Sequence, residues 1–127
     1  MDITPLIAAD RQIIQSYNAQ GFKVSGQRFA GNVCVFVDQT CQWEFAGTLA
    51  DLTPRAFSDF DISGDALDVV LLGTGGQMGF APNEVKAFFK SKGVILESMD
   101  TGAACRTYNV LMTEGRRIAT FLMTDKL

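Results

Sequence analysis

An unbroken apolar run, Val69–Leu72, lies near the middle of the chain. A strand that is apolar at successive positions is typical of a strand covered on both faces of a sheet. Further along, Val85, Phe88 and Phe89 recur at helical spacing and predict a helix over residues 82–92. The centre of the chain is therefore predicted to be a buried strand followed by an amphipathic helix.

Strand and helix patterns continue to alternate after this unit. Val94–Met99 predicts the next strand, which we expect to lie beside Val69–Leu72 and parallel to it. Asp100 predicts the start of a helix that runs to about Thr113, and Arg116–Met123 predicts the last strand. Such alternation favours a partly parallel sheet with helices packed against it.

The first third of the chain has the two-residue alternation of strands instead. Val33, Val35 and Val37 alternate with Cys34 and Phe36, and turn residues separate this segment from weaker strand patterns. We predict an antiparallel meander with strands at residues 12–17, 22–29, 33–37 and 42–45, the second of them broken near Gly26. A short helix is predicted over residues 54–60.

These elements together predict one domain over residues 1–127, with residues 1–11 as a loose lead-in. The predicted fold class is α/β. It consists of a mixed sheet with a parallel βαβ part flanked by helices, plus an N-terminal antiparallel meander.

Composition narrows the classes of function. The chain has 14 acidic and 11 basic residues and no basic stripe, which argues against a nucleic-acid partner. It has no histidine, which excludes Ser-His-Asp and Cys-His catalysis and most zinc sites. No motif predicts a cofactor or a metal. No signal or membrane-spanning pattern is found, so we expect a cytoplasmic protein without direct membrane insertion.

The three cysteines, Cys34, Cys41 and Cys105, form no CxxC pair. An odd number of cysteines is typical of a protein kept in a reducing compartment. A turn at Gln39-Thr40 would place Cys41 opposite Asp38, which would leave Cys34 too far along the hairpin to reach it. We therefore predict three free thiols.

The glycine-rich segment Gly73–Gly79 follows the central strand directly. It nearly fits the dinucleotide-binding fingerprint, but its third glycine comes one position late. A small anion at Thr74, Gly75 and Gly76 is an alternative, because glycines let a backbone approach a ligand closely. The other alternative is a tight crossover whose free backbone donors meet water.

A second candidate cluster begins at Asp100, which also follows a strand and opens a helix. If the two strands are parallel neighbours, Asp100 and Thr74 lie at the same edge of the sheet. Thr101, Arg106 and Asn109 are further ligand-binding candidates on this helix. The simpler interpretation is that Asp100 only caps the helix and that Cys105 belongs to the core. Cys105 would act as a nucleophile only if its pKa were lowered, for example by the helix start and Arg106.

Two other groups of residues have candidate roles. Met78 and Phe80 are apolar residues on a loop expected to be exposed, which can mark a partner surface. Glu114 and an arginine of the Gly115-Arg116-Arg117 turn are predicted to form an ion pair that holds this turn.

A set of motifs in the second half resembles the Mth938-like domain family. The motifs are Leu71-Leu72-Gly73-Thr74-Gly75, Met99-Asp100-Thr101, Ala104 to Leu111 and Glu114-Gly115-Arg116-Arg117. The resemblance is close over residues 68–117 and looser over residues 30–123. It implies a single α/β domain and no established enzyme activity. The family's mitochondrial members imply a role in protein assembly, whereas this chain resembles a bacterial, cytoplasmic member.

Two hypotheses for the function follow. The first is a non-enzymatic binding or assembly module with a protein partner, in which Met78 and Phe80 lie on the contact surface. The second is a small anion- or metabolite-binding domain, or an enzyme, that uses the Gly73–Gly79 loop and the helix start at Asp100.

Overall fold

A computed structural model describes residues 10–127. The predicted lead-in at residues 1–11 therefore falls almost wholly outside the described part. The strands are β1 Ile14–Asn18, β2 Gly21–Val24, β3 Gln27–Ala30, β4 Val33–Phe36, β5 Thr40–Gln42, β6 Val69–Gly73, β7 Ile95–Met99 and β8 Ile118–Leu122. The helices are α1 Asn83–Ser91 and α2 Thr101–Thr113, with short 3-10 turns at Leu49–Asp51 and Pro54–Phe57.

A five-stranded mixed sheet forms the centre of the domain, in the order β5-β4-β8-β6-β7. Strand β6 is parallel to both β7 and β8, while β4 is antiparallel to β8 and β5. The predicted pairing of the central strand is confirmed, with Val69 opposite Ile95 and Gly73 opposite Met99. The α/β fold class is confirmed as well.

Both faces of this sheet are covered, which explains the unbroken apolar run. Val70 and Leu72 belong to a core that also contains residues of α1 and a cluster of aromatic rings around Phe121. Val69 and Leu71 belong to the opposite core, which contains the buried face of α2. Alternate side chains of one strand thus point into two different cores.

The N-terminal meander exists as a separate antiparallel sheet in the order β1-β2-β3. The predicted strand at residues 22–29, with its break near Gly26, is the β2–β3 hairpin. Ser25 and Gly26 have φ values of 45° and 83°, as a tight two-residue hairpin turn requires. Strand β4 was wrongly assigned to the meander; it joins the large sheet because Val33, Cys34 and Val35 are all fully buried.

The β4–β5 hairpin has a different register from the predicted one. Phe36 N–H donates to the Gln39 carbonyl at 2.8 Å, so the turn lies at Val37-Asp38 and not at Gln39-Thr40. Strand β5 accordingly ends at Gln42, earlier than predicted, and Cys41 lies opposite Cys34. Because the shift moves each partner by an even number of residues, the same side chains still face the core. The hydrophobic pattern could not distinguish the two registers.

Candidate functional site

Thr74 and Asp100 lie next to each other at the carboxyl edge of β6 and β7. Gly73 pairs with Met99, and the Thr74 N–H donates to the Met99 carbonyl at 2.8 Å. The predicted convergence of the two candidate segments at one edge of the sheet is therefore confirmed. Whether they bind a ligand depends on which of their polar groups remain available.

The Thr74 side chain fixes the glycine loop from the inside. Its hydroxyl donates to the Gln77 carbonyl at 2.6 Å and accepts from the Gly79 N–H at 3.1 Å. The residue is only 7% exposed. This hydroxyl therefore holds both ends of the turn over residues 74–79.

Thr101, at the first position of α2, connects three segments. Its hydroxyl accepts from the Gly75 N–H at 2.8 Å and donates to the Met123 carbonyl at 2.7 Å. Its backbone N–H donates to the Gly75 carbonyl at 2.8 Å. Because the side chain is fully buried, Thr101 joins the glycine loop, helix α2 and the end of β8 inside the protein.

The close backbone approach expected of the glycines is made by another segment of the same chain. Gly76 N–H donates to the Asp125 carbonyl at 2.8 Å. A methyl group added to Gly75 would overlap the Asp125 carbonyl, and one added to Gly76 would overlap that of Lys126. The glycines thus provide room for residues 125–126. A ligand role for Thr74, Gly75, Gly76 and Thr101 remains a prediction.

Asp100 is the N-cap of α2, because its carboxylate accepts from the Ala103 N–H at 2.9 Å. Asn109 lies on the face of α2 that meets β1, where its amide makes two hydrogen bonds to the backbone of Ile14. Arg106 is exposed beside it and lines, with Asn109, a groove of about 270 Å³ against β1. The loop residues line a different depression, so the structure does not join all the predicted residues in one pocket.

Cys105 lies in the core and is not an activated nucleophile. Burial raises the pKa of its thiol to about 12, despite the opposing effect of the Arg106 charge. The condition set for a nucleophilic role, a lowered pKa, is therefore contradicted. Tyr108, on the next turn, is also buried, and its hydroxyl donates to the Gln12 carbonyl at 2.9 Å.

Met78 and Phe80 are exposed, as their position in the loop predicted. Met78 is 50% exposed and Phe80 is 71% exposed. They line an open depression of about 470 Å³, together with residues 48–50 and 125–126. The Lys86 ammonium lies 5.3 Å from the centre of the Phe80 ring, within the range of a cation–π contact. We call Met78, Phe80 and this depression the loop surface.

The opposite edge of the sheet carries a cleft that sequence reasoning missed. It has a volume of about 480 Å³ and is lined by five separate stretches of chain, namely Arg11, residues 36–39, residues 59–61, residues 66–67 and residues 115–118. Only the fold brings these stretches together. Arg117, at its rim, donates to the Asp68 carboxylate at 2.6 Å. This is the one ion pair found within residues 10–127, so the predicted pair between Glu114 and an arginine of this turn was wrong.

Two features are absent from residues 10–127. No three His, Cys, Asp or Glu side chains in this part of the chain are grouped so that they could hold a metal ion. Within the same residues, no helix has the length and apolar character needed to cross a bilayer.

Comparison with known proteins identifies the family. Residues 14–123 match a family described as "Protein of unknown function (DUF498/DUF598)". The chain belongs to this family. A solution structure from Bordetella pertussis, described as a Mth938-like domain, has a TM-score of 0.76 and 26% identity, covering 99% of this chain and 90% of that one. The chain is an Mth938-like domain, as its motifs indicated.

Two further relatives of this Mth938-like domain differ in their descriptions. A crystal structure from Bartonella henselae, described as an outer membrane protein, has a TM-score of 0.81 and 28% identity, covering 91% of this chain and 97% of that one. The human NADH dehydrogenase [ubiquinone] 1 alpha subcomplex assembly factor 3 is 33% identical over 109 residues, covering 86% of this chain and 59% of that protein. The chain spans between 55% and 65% of the length of the vertebrate assembly factors it matches.

Proposed function

We propose that this Mth938-like domain is a non-enzymatic protein-binding module that acts in the assembly of a multi-subunit complex. The observation that carries the proposal is the character of the loop surface. Polar side chains at the carboxyl edge of the sheet, such as Thr74 and Thr101, are engaged inside the protein. Among the exposed side chains of this edge are the apolar Met78 and Phe80, beside the polar Gln77, Asp125 and Lys126.

The loop surface suits protein recognition because its backbone is already fixed. Thr74 holds the turn from below, and Gly76 is bonded to the segment at Asp125. Binding of a partner over Met78 and Phe80 would therefore cost little conformational entropy of the loop, whereas a flexible loop would first have to become ordered. Aromatic residues and methionine are also enriched at protein interfaces.

The relatives suggest the kind of complex. Six vertebrate relatives are named as assembly factors of the NADH dehydrogenase (ubiquinone) 1 alpha subcomplex. We propose that the partner of this chain is a protein subunit of the corresponding NADH dehydrogenase in its own organism. The loop surface would cover an apolar patch of that subunit before the subunit is incorporated.

Deletion of the gene, followed by complementation, tests this function. We expect the deletion to lower the amount of assembled NADH dehydrogenase on native gels and the NADH oxidation rate of membranes. The unaltered gene should restore both. Normal levels of the complex in the deletion strain would refute a role in assembling it.

A pair of matched variants tests the surface. Met78→Ser combined with Phe80→Ser should fail to restore the complex. Ile95→Ser combined with Val110→Ser is the control, because these residues are 60% and 56% exposed but belong to β7 and α2. Both double variants should fold, since none of the four side chains is buried. Equal complementation by the two double variants would refute the loop surface as the contact site.

A further inference from the structure

The side chains of Cys34 and Cys41 meet across the β4–β5 hairpin. The two residues are direct partners in the antiparallel register. Their sulfur atoms are 3.7 Å apart, and the Cys34 thiol also donates to the Cys41 carbonyl at 3.5 Å. Both side chains face the core that contains Trp43.

The backbone geometry of this pair is compatible with a disulfide. Phe36 N–H donates to Gln39 and Trp43 N–H donates to Asn32, so the alternating ladder makes Cys34 and Cys41 a hydrogen-bonded pair. Such partners have Cα atoms about 5.5 Å apart. Disulfide-linked cysteines have Cα atoms roughly 4.4–6.8 Å apart. Rotation of the side chains, with a small movement of β5, is enough to bring the sulfurs together.

The two thiols differ in accessibility. Cys34 is fully buried on β4, which has neighbours on both sides. Cys41 is half-buried on β5, which lies at the edge of the sheet and pairs with β4 alone. Reagents therefore reach Cys41 first, and the edge strand can adjust because no further strand holds its outer side.

We propose that Cys34 and Cys41 form a dithiol site that a small disulfide oxidant converts reversibly into an intramolecular disulfide. This modification site is separate from the loop surface and does not depend on the proposed function. Cys105 has no part in it, since it lies in the core on the other face of the sheet.

The reaction proceeds in two exchanges with glutathione disulfide as the oxidant. The Cys41 thiolate attacks one sulfur of glutathione disulfide, forms a mixed disulfide and releases one glutathione thiolate. The Cys34 sulfur then attacks the Cys41 sulfur, forms the Cys34–Cys41 bond and releases the second glutathione. Two protein thiols are oxidised, one glutathione disulfide is reduced to two thiols, and the protons of the two cysteines pass to the two glutathiones.

Burial sets the order of these exchanges. It raises the pKa of the Cys34 thiol, so Cys34 is a poor first nucleophile towards a reagent in solution. Its position next to Cys41 compensates in the second exchange, because the reacting sulfurs are already neighbours.

Incubation with glutathione disulfide, followed by peptide mapping, tests the proposal. Remaining thiols are alkylated, and the unreduced protein is cleaved with endoproteinase Asp-N. Asp38 lies between the two cysteines, so cleavage before it separates peptide 10–37 from peptide 38–50. We expect these two peptides to stay joined until dithiothreitol is added, and the three thiols of the denatured chain to fall to one.

Three single variants identify the pair. Cys105→Ser should form the same linked peptides as the unaltered chain. Cys34→Ser should stop at the mixed disulfide and accumulate one glutathione on Cys41. Cys41→Ser should form neither product. The fluorescence of Trp43, the chain's sole tryptophan, gives an independent signal two residues from Cys41 and should change on oxidation and return on reduction.

Several results would overturn the proposal. One is a chain that retains all three thiols after prolonged incubation. Another is the unaltered chain stopping with glutathione on Cys41 while Cys34 remains free. A disulfide that includes Cys105 would overturn it too.

Discussion

The side-chain amide of Asn109 makes both possible backbone hydrogen bonds to Ile14. Its oxygen accepts from the Ile14 N–H at 3.0 Å, and its nitrogen donates to the Ile14 carbonyl at 2.8 Å. The β1–β2 register is irregular between Ile14 and Ser16. The Asn109 amide therefore makes the two backbone hydrogen bonds that a neighbouring strand would make. It thereby attaches the small antiparallel sheet to α2.

We predict that Asn109→Ala destabilises the domain by about 1–3 kcal/mol, because it leaves two backbone groups of the buried Ile14 without partners. Urea unfolding measures the change. Arg106→Ala, one turn away and exposed, is the control and should stay within about 0.5 kcal/mol of the original. Equal effects of the two variants would show that the Asn109 amide does not hold the small sheet.

Thr74→Val tests whether the loop hydroxyl serves the fold or a ligand. We predict a loss of about 1–3 kcal/mol in unfolding free energy, because valine provides neither the donor to Gln77 nor the acceptor for Gly79. Thr74→Ser should keep most of the stability. The melting temperature measured in phosphate should equal that in chloride at the same ionic strength. A melting temperature that phosphate raises in the unaltered chain but not in Thr74→Val would instead support the anion site.

Gly75→Ala tests the contact between the glycine loop and the segment at Asp125. Gly75 has a φ of 94°, and an added methyl group would also overlap the Asp125 carbonyl. Gly93→Ala is the matched control, since Gly93 has a φ of 72° and open space around it. The control should lose about 1–2 kcal/mol from backbone strain alone. We predict a larger loss for Gly75→Ala, and equal losses in denaturant unfolding would refute the contact.

The pair formed by Asp68 and Arg117 predicts a dependence of stability on pH. The hydrogen bond from the Arg117 guanidinium lowers the pKa of the Asp68 carboxyl below its ordinary value of 3.8. Its stabilising contribution is therefore complete above that value and is lost as pH falls through the lower, folded-state pKa. Asp68→Asn should flatten the acid side of a plot of urea midpoint against pH.

The effect should be small and sensitive to salt, because both side chains of this pair are about half exposed. Measurement at low and at high ionic strength checks this. Combining Asp68→Asn with Arg117→Gln should change the pH profile no further than Asp68→Asn alone. An unchanged acid limb in Asp68→Asn would contradict the assignment.

Local sequence patterns correctly predicted the elements whose position is determined by burial in the core or by hydrogen bonds within one turn. The run Val69–Leu72 could be recognised because both of its faces are buried, and Asp100 because an N-cap bonds within its own first turn. The β4–β5 register could not be predicted, since an even shift leaves the same side chains facing inward. The hydrophobic pattern therefore did not reveal that Cys34 meets Cys41.

The candidate site was harder to predict because its contacts link distant parts of the chain. The glycines correctly predicted a close backbone approach, and the group that approaches them is the Asp125 carbonyl of the same chain. Asn109 was predicted as a ligand-binding candidate, and the structure shows its amide bonded to the backbone of Ile14. Its partner, Ile14, is 95 positions away, and no local spacing rule connects the two.

The order of the strands also affects how the domain can form during protein synthesis. Strand β8 emerges from the ribosome after the other seven described strands, yet it lies between β4 and β6 and is the strand that joins them. The β4–β5 hairpin and the β6–β7 pair can form earlier, but each must wait with an open strand edge until residues 118–122 have emerged. Open edges are where chains pair with the wrong partner. We therefore expect a nascent chain halted before residue 118 to be a substrate for chaperones or proteases, and the five-stranded sheet to close only late in synthesis.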